Sequence, residues 1–246
     1  MNLGLLQCDH VRPDLRAEFG DYDAMFRALF RANAPGVTLS VFDVTKGEFP
    51  EAPDSCDGYL TTGSAASVYD DEPWLAKLTG FVRELYAARR PFVGICFGHQ
   101  LMAEALGGKV AASPRGWGVG SKAARIETRA DWMVPDVGSI RLLLSHQDQV
   151  ESLPPDATVI AGNEHCPYAI ITVGETFLGF QGHPEFTPGY ARALMLSRTD
   201  RIPPATVESA LPTFSERLDD AAVVSWIVCF IDGRARVRAL AGGRAR

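Results

Sequence analysis

The sequence lacks an apolar segment long enough to cross a membrane. Its longest apolar run, residues 221–231, has 11 residues and contains Ser225, whereas a transmembrane helix needs about 20 residues. The first six residues also lack the basic side chains that precede the apolar core of a secretory signal peptide. These two absences predict a cytoplasmic protein with no membrane partner.

Cysteine is scarce, and its spacing fits neither a disulfide framework nor a structural metal site. The five cysteines lie at positions 8, 56, 96, 166 and 229, an odd number with no pair at zinc-ligand spacing.

Basic residues are outnumbered by acidic ones. The chain has 24 Lys and Arg and 30 Asp and Glu, which gives a net charge of −6. This balance argues against nucleic acid as a partner.

The length and hydrophobic content of the chain are typical of a single domain. The chain has 246 residues, of which 46% are hydrophobic, and it contains no internal repeat or low-complexity block. A chain of this length can bury most of its apolar surface in a single core. We therefore predict one domain over residues 1–200, followed by a helical extension over residues 201–246 that packs on it and ends in a frayed, arginine-rich tail.

Apolar strands and amphipathic helices alternate in the first half of the chain, which is typical of an α/β sheet wrapped by helices. Four strands are predicted there, at residues 3–7, 37–42, 59–62 and 92–95. After Gly108 the strands follow one another with short turns, at residues 119–127, 140–144, 158–161, 169–173 and 177–181. The expected fold is an open, mostly parallel, doubly wound sheet of flavodoxin-like type with an antiparallel extension.

Helix positions follow from the same patterns. An apolar stripe from Phe19 to Phe30 predicts one helix, and Pro73 is expected to open another that Asp71 caps. Thr187 precedes a third helix that ends near Leu196. Two further helices are predicted between residues 206 and 231.

The most informative segment is residues 91–100, which places Cys96 between an apolar strand and an amphipathic helix. Glycines at 94 and 98 suit a sharp strand-to-helix turn of the nucleophile-elbow type. A cysteine at a helix N-terminus lies at the positive end of the helix dipole, which favours its reactive thiolate form. Cys96 is therefore a candidate nucleophile.

His183 and Glu185 are the candidate base and orienting acid. They follow the apolar run 177–181, and side chains two residues apart in an extended chain share a face. A carboxylate beside an imidazole fixes its tautomer and stabilises its cationic form. With Cys96 these residues complete a catalytic triad whose members are distant in sequence.

These motifs resemble a known family. The run at 94–100 and the Gly-His-Pro-Glu run at 182–185 together resemble the signature of triad-type class I glutamine amidotransferases. Residues 57–64 resemble that family's strand with an oxyanion loop, and residues 145–148 resemble its Ser-His-x-Asp segment. Residues 67–74 are most similar to the stand-alone, GMP synthase-like subgroup.

The resemblance implies hydrolysis of the glutamine side-chain amide through a γ-glutamyl thioester on Cys96, without a metal or organic cofactor. It assigns the oxyanion hole to the N–H groups of Phe97 and of the Gly63–Ser64 region. It also implies that Gln100 holds the substrate. His146 is a candidate substrate contact; alternatively, it has a structural role in the fold.

The fate of the ammonia is open at this point. The chain has no room for an acceptor domain, so a separate synthase subunit would accept the ammonia. Alternatively, the protein is a free-standing γ-glutamyl peptidase or hydrolase, or a catalytically silent module that senses glutamine. The substrate partner is in each case glutamine or another γ-glutamyl compound.

One enzyme class, one family of chaperone or stress proteins and one binding motif compete with this interpretation. Dienelactone hydrolases share the elbow, but there the histidine follows the acid, whereas His183 precedes Glu185. DJ-1-like proteins place histidine directly after the elbow cysteine, where this chain has Phe97. Residues 116–120 resemble a phosphate loop only weakly, since no helix pattern follows them.

Overall fold

A nine-stranded mixed sheet forms the centre of the computed structural model, which describes residues 1–242, with side chains described for residues 1–233. Its strand order is β2-β1-β3-β4-β11-β10-β9-β6-β7, and β5 and β8 form a separate antiparallel pair. The first six strands are β1 (Asn2–Gln7), β2 (Thr38–Asp43), β3 (Gly58–Thr61), β4 (Phe92–Ile95), β5 (Lys109–Ala112) and β6 (Gly118–Ile126). The others are β7 (Ser139–His146), β8 (Asp148–Ser152), β9 (Ala157–Gly162), β10 (Ile170–Val173) and β11 (Phe177–Phe180).

Strands β2, β1, β3, β4 and β11 run parallel, and the remaining pairings of the large sheet are antiparallel. The described helices are α1 (Pro13–Phe19), α2 (Tyr22–Asn33), α3 (Pro73–Ala87), α4 (Phe97–Ala105), α5 (Pro188–Leu196), α6 (Pro204–Ala210) and α7 (Asp220–Gly242). Helices α2 and α7 share one apolar cluster with the sheet, while α3 and α4 share another. This confirms the predicted doubly wound α/β fold with its antiparallel extension.

Helix α2 shows why the sequence pattern was informative. Its buried residues recur at helical spacing, so one stripe faces the sheet: Tyr22, Met25, Phe26, Leu29 and Phe30. Asp21 caps the helix, because its carboxylate accepts a hydrogen bond from the Tyr22 N–H. The predicted stripe wrongly included Phe19, which belongs to α1, since Gly20, with φ of 78°, separates the two helices.

The predicted cap of α3 was also wrong. The structure places Glu72 at the cap position, with no side-chain hydrogen bond, and Asp71 lies one residue further out. Pro73 is the first helical residue, and its ring carries no N–H for a cap to satisfy. The helix is held by its apolar stripe, which includes Leu75, Leu78 and Val82.

Helix α7 returns the end of the chain to the core. Trp226 is fully buried, donates a hydrogen bond from its indole N–H to the Pro135 carbonyl at 2.9 Å, and packs edge-on against Trp132. Val223, Ile227 and other apolar residues of α7 join the cluster that contains α2. The arginine-rich tail predicted to fray lies outside the residues whose side chains the structure describes.

None of the helices in the described part of the chain is both long and apolar enough to span a membrane.

The turn from β4 into α4 depends on two glycines. A Cβ atom at Gly94 would clash with the backbone of Gly98 and would lie 2.5 Å from the backbone nitrogen of His99. A Cβ atom at Gly98 would overlap the side chain of Thr61, whose hydroxyl accepts a hydrogen bond from the Ile95 N–H at 3.2 Å. Helix α4 therefore packs against the strand backbone at a distance that only glycine permits.

We expect Gly94→Ala to lower the free energy of unfolding by about 2 kcal/mol or more, because backbone atoms must move to accept the methyl group. The matched control is Gly80→Ala in α3, where a Cβ atom meets nothing within 4 Å. This control is expected to gain about 0.5–1 kcal/mol from helix propensity. Urea unfolding measures both variants, and a Gly94→Ala protein as stable as the parent would contradict the close packing.

Candidate active site

Cys96 lies at the tip of the β4–α4 turn in a strained backbone conformation. Its φ of 50° and ψ of −99° fall in a region that few non-glycine residues adopt. Neighbouring elements hold it there, because the Cys96 N–H donates to the Phe180 carbonyl at 2.7 Å and its carbonyl accepts from the Gln100 N–H. The thiol is thus presented at the carboxyl edge of the sheet, as in a nucleophile elbow.

His183 and Glu185 follow β11, the strand that pairs directly with β4. The His183 N–H donates to the Leu143 carbonyl at 2.8 Å, and the ring stacks on Phe186 with centroids 3.8 Å apart. Nδ1 of His183 lies 2.7 Å from Oε1 of Glu185. Since a carboxylate can only accept, Nδ1 carries the proton and the ring orientation is fixed.

The structure brings these two residues to Cys96. A Cβ atom at Gly63 would lie 2.8 Å from Cε1 of His183 and 3.7 Å from Cβ of Cys96, so both side chains border the same small space beside Gly63. All three residues of the predicted triad are buried, with 4–5% of their surface exposed. A sulfur, an imidazole and a carboxylate therefore meet in one water-poor site.

The surroundings of His183 favour its protonated form. Burial alone lowers the pKa of an imidazole, but here the charges of Glu185 and Cys96 and hydrogen bonds to both outweigh it. The net effect raises the pKa of His183 from 6.5 to about 10. A cation is thus held beside the sulfur at neutral pH.

Three backbone N–H groups near Cys96 are those predicted to form the oxyanion hole. Phe97 is the first residue of α4, and Gly63 and Ser64 lie in the loop after β3. Within residues 1–242, none of these three N–H groups donates to another protein atom. The neighbouring Ala65 N–H, in contrast, is bound by Oδ2 of Asp9 at 2.8 Å, which holds the loop in place.

A chain of buried amides that the sequence did not reveal reaches the sulfur. Nε2 of Gln181 lies 3.6 Å from Sγ of Cys96, and Oε1 of Gln181 accepts from Nε2 of Gln100 at 3.2 Å. Gln100 also donates to the Asp148 carbonyl at 2.7 Å. Both Nε2 hydrogens of Gln100 are therefore used inside the protein, and only its Oε1 remains to accept from a substrate donor. The one sequence signal for Gln181 was a polar residue at the end of an apolar strand.

The segment Ser145 to Asp148 forms the opposite wall of the site. Oδ2 of Asp148 accepts hydrogen bonds from the hydroxyls of Ser67 at 2.7 Å and Tyr69 at 2.9 Å. His146 donates from Nδ1 to the Asp148 carbonyl at 3.0 Å, and burial lowers its pKa to about 3, so its ring is neutral. His146 both lines the site and braces its wall.

A cavity of about 160 Å³ lies between these walls, and Cys96 is one of the residues that line it. Its lining includes the predicted residues Ser64, Gln100 and His146 together with Ser67, Gln147 and Asp148. Trp117, Arg198 and Arg201 also line it, and no pattern in the sequence pointed to them. Trp117 lies directly before β6, and the two arginines lie in the turn after α5.

The remaining histidines and cysteines lie in other settings. His99 is fully buried against the backbone of Gly179 and Tyr168, and burial lowers its pKa to about 4. His10 lies in a loop and bridges Asp21 and Asp43. Burial raises the pKa of Cys8 and Cys56, and raises that of Cys166 to about 12, which keeps these thiols protonated. No group of three His, Cys, Asp or Glu side chains in the described residues is arranged to hold a metal ion.

Comparison with known proteins gives a consistent result. The family model for glutamine amidotransferase class-I matches residues 22–200. Gamma-glutamyl peptidase 5 of Arabidopsis thaliana is 30% identical over 197 residues, which cover 76% of this chain and 75% of the relative. A GMP synthase [glutamine-hydrolyzing] from Caldanaerobacter subterraneus is 37% identical over 134 residues, but these are only 24% of its length.

A solved structure of a glutamine amidotransferase from Thermotoga maritima superimposes with a TM-score of 0.69 at 21% identity, covering 95% of this chain and 96% of that one. A second, from Methylobacillus flagellatus, gives 0.70 at 22% identity, covering 94% and 92%. Fold and site together define a doubly wound α/β protein with a cysteine at its elbow. The chain belongs to the glutamine amidotransferase class-I family.

The protonation of His183 can be tested by nitrogen-15 NMR of the imidazole. We expect the cationic form at pH 8 in the parent protein, and a pKa that falls toward 6.5 in Glu185→Gln, which removes the carboxylate charge. Because the folded protein keeps a proton that the unfolded chain loses above pH 6.5, this contribution to stability is complete below pH 6.5 and declines as the pH rises to about 10. A neutral His183 at pH 8 in the parent would refute the assignment.

Proposed function

We propose that the protein hydrolyses γ-glutamyl amide bonds through a thioester on Cys96. The observation that carries this proposal is the position of His183, which is hydrogen-bonded to Glu185 at 2.7 Å and lies with Cys96 against the same glycine, Gly63. A base held between a nucleophile and an orienting acid is the arrangement of a nucleophilic triad.

In the proposed acylation step, the sulfur of Cys96 attacks the γ-carbonyl carbon and the carbonyl electron pair moves to oxygen. The N–H groups of Phe97, Gly63 and Ser64 stabilise this oxyanion, and each such donor is worth about 3–4 kcal/mol in the transition state. When the tetrahedral intermediate collapses, the C–N bond breaks and His183 gives its proton to the leaving nitrogen.

The thioester is then hydrolysed. His183, now neutral, takes a proton from water as the water oxygen attacks the thioester carbon, and the C–S bond breaks to release glutamate and the thiolate. Glu185 stays ionised throughout and keeps the ring aligned. Gln181 donates toward the sulfur and thereby stabilises it as the leaving group.

A short γ-glutamyl peptide is the substrate that we favour. The alignments with the gamma-glutamyl peptidases cover about three quarters of this chain and about three quarters of each peptidase. This coverage supports a free-standing hydrolase. Release of ammonia from glutamine for a separate synthase subunit is the second candidate, supported by the match to part of GMP synthase. Comparing glutamate release from glutamine and from γ-glutamylglycine separates them, and binding without turnover would indicate a silent sensor.

We also propose that the protein is cytoplasmic. The chain would then consist of a catalytic domain of residues 1–200 and an extension from residue 201.

Labelling with a glutamine-derived diazo-ketone tests the nucleophile. We expect one covalent adduct per chain, located at Cys96 by peptide mass spectrometry, because burial keeps other thiols, such as those of Cys8 and Cys166, protonated. Cys229→Ser, which changes a partly buried cysteine far from the site in sequence, is the matched control and should label fully. An equal adduct in Cys96→Ser would disprove the assignment.

A further inference from the structure

Three side chains at the cavity have no task in the hydrolysis. Arg198 and Arg201 follow α5, Trp117 precedes β6, and all three line the cavity that contains Cys96. The guanidinium carbons of Arg198 and Arg201 lie 6.0 Å and 5.8 Å from the Trp117 ring centroid. One aromatic ring thus lies within about 6 Å of two cations at the cavity.

The backbone fixes the spacing of the two arginines. The Arg201 and Ile202 N–H groups both donate to the Arg198 carbonyl at 2.9 Å, so Arg198 and Arg201 project from one tight turn. Ile202 anchors this turn, since it is 1% exposed and packs in the cluster that Trp117 also contacts. The backbone of the turn therefore holds the two arginines at a fixed spacing.

Neither guanidinium has a carboxylate partner among residues 1–233. Arg198 donates from Nη1 to Oγ of Ser145 at 3.0 Å, but its buried Nε has no hydrogen-bond acceptor. Burial lowers the pKa of Arg198, and the charge of Arg201 acts in the same direction. A partly buried cation beside a second cation is unfavourable unless an anion offsets it.

We propose that Arg198 and Arg201, seated on Trp117, form a subsite that binds a carboxylate of the γ-glutamyl substrate. The proposal rests on the γ-glutamyl specificity proposed above. Paired guanidinium donors match the two oxygens of a carboxylate. Such a substrate has two sources of this group: the α-carboxylate of the glutamyl part and the C-terminal carboxylate of the peptide.

Binding to the Cys96→Ser protein, measured by calorimetry, tests the subsite without requiring turnover. The probes are γ-glutamylglycine, its amide at the glycine carboxylate, and its amide at the glutamyl α-carboxylate. We expect Arg201→Gln to weaken binding of the free diacid about tenfold, since a charge-assisted hydrogen bond to the carboxylate is lost. One of the two amides should bind the parent and Arg201→Gln proteins equally, which identifies the carboxylate that the subsite holds.

Two control variants complete the design. Arg201→Lys keeps the charge and should recover part of the affinity, whereas Arg192→Gln removes an exposed charge of α5 that does not line the cavity and should change nothing. Three outcomes would overturn the subsite. Arg201→Gln could weaken the binding of all three probes equally, it could weaken the binding of none of them, or the Cys96→Ser protein could fail to bind the probes. If the parent binds the diacid through this subsite but never cleaves it, the proposed hydrolysis fails while the subsite stands.

Discussion

The pairing of β4 with β11 is the constraint on which the rest of the site depends. Because the two strands are parallel and in register from Phe92 with Phe177 to Ile95 with Phe180, both end at the same edge of the sheet. The hydrogen bond from the Cys96 N–H to the Phe180 carbonyl extends that register one residue further. It thereby places the elbow beside the segment that carries His183, although the two residues are 87 positions apart in sequence.

The electrostatics of the site follow from this geometry. Bringing three ionisable groups together in a buried place costs desolvation energy, which only close pairing can offset. Here the hydrogen bond of His183 to Glu185, the contact with Cys96 and the stacking on Phe186 supply that pairing. The strained backbone of Cys96 is maintained because strand pairing and the packing of α4 determine its position.

Much of this arrangement was predictable from sequence, because the signals were local. Apolar patterns of strand and helix type predicted the parallel part of the sheet and its antiparallel extension. The glycines around Cys96 predicted the strand-to-helix turn. Contacts between distant loops were not predictable: the hydroxyls of Ser67 and Tyr69 on Asp148, the link from Gln181 to the sulfur, and the arginine pair on Trp117. These contacts depend on the paths of connecting segments, which no residue pattern encodes. The wrong cap at Asp71 has a similar cause, since the turn before Pro73 decides which residue flanks the helix.

The central claim is that Cys96 carries the γ-glutamyl group during turnover. Rapid-quench mass spectrometry of the protein mixed with γ-glutamylglycine tests this most directly, because acid preserves a thioester while stopping the reaction. We expect a transient γ-glutamyl adduct on the peptide that contains Cys96, formed and lost at rates consistent with turnover. Steady glutamate release without any acyl-enzyme, or with the adduct on another residue, would contradict it.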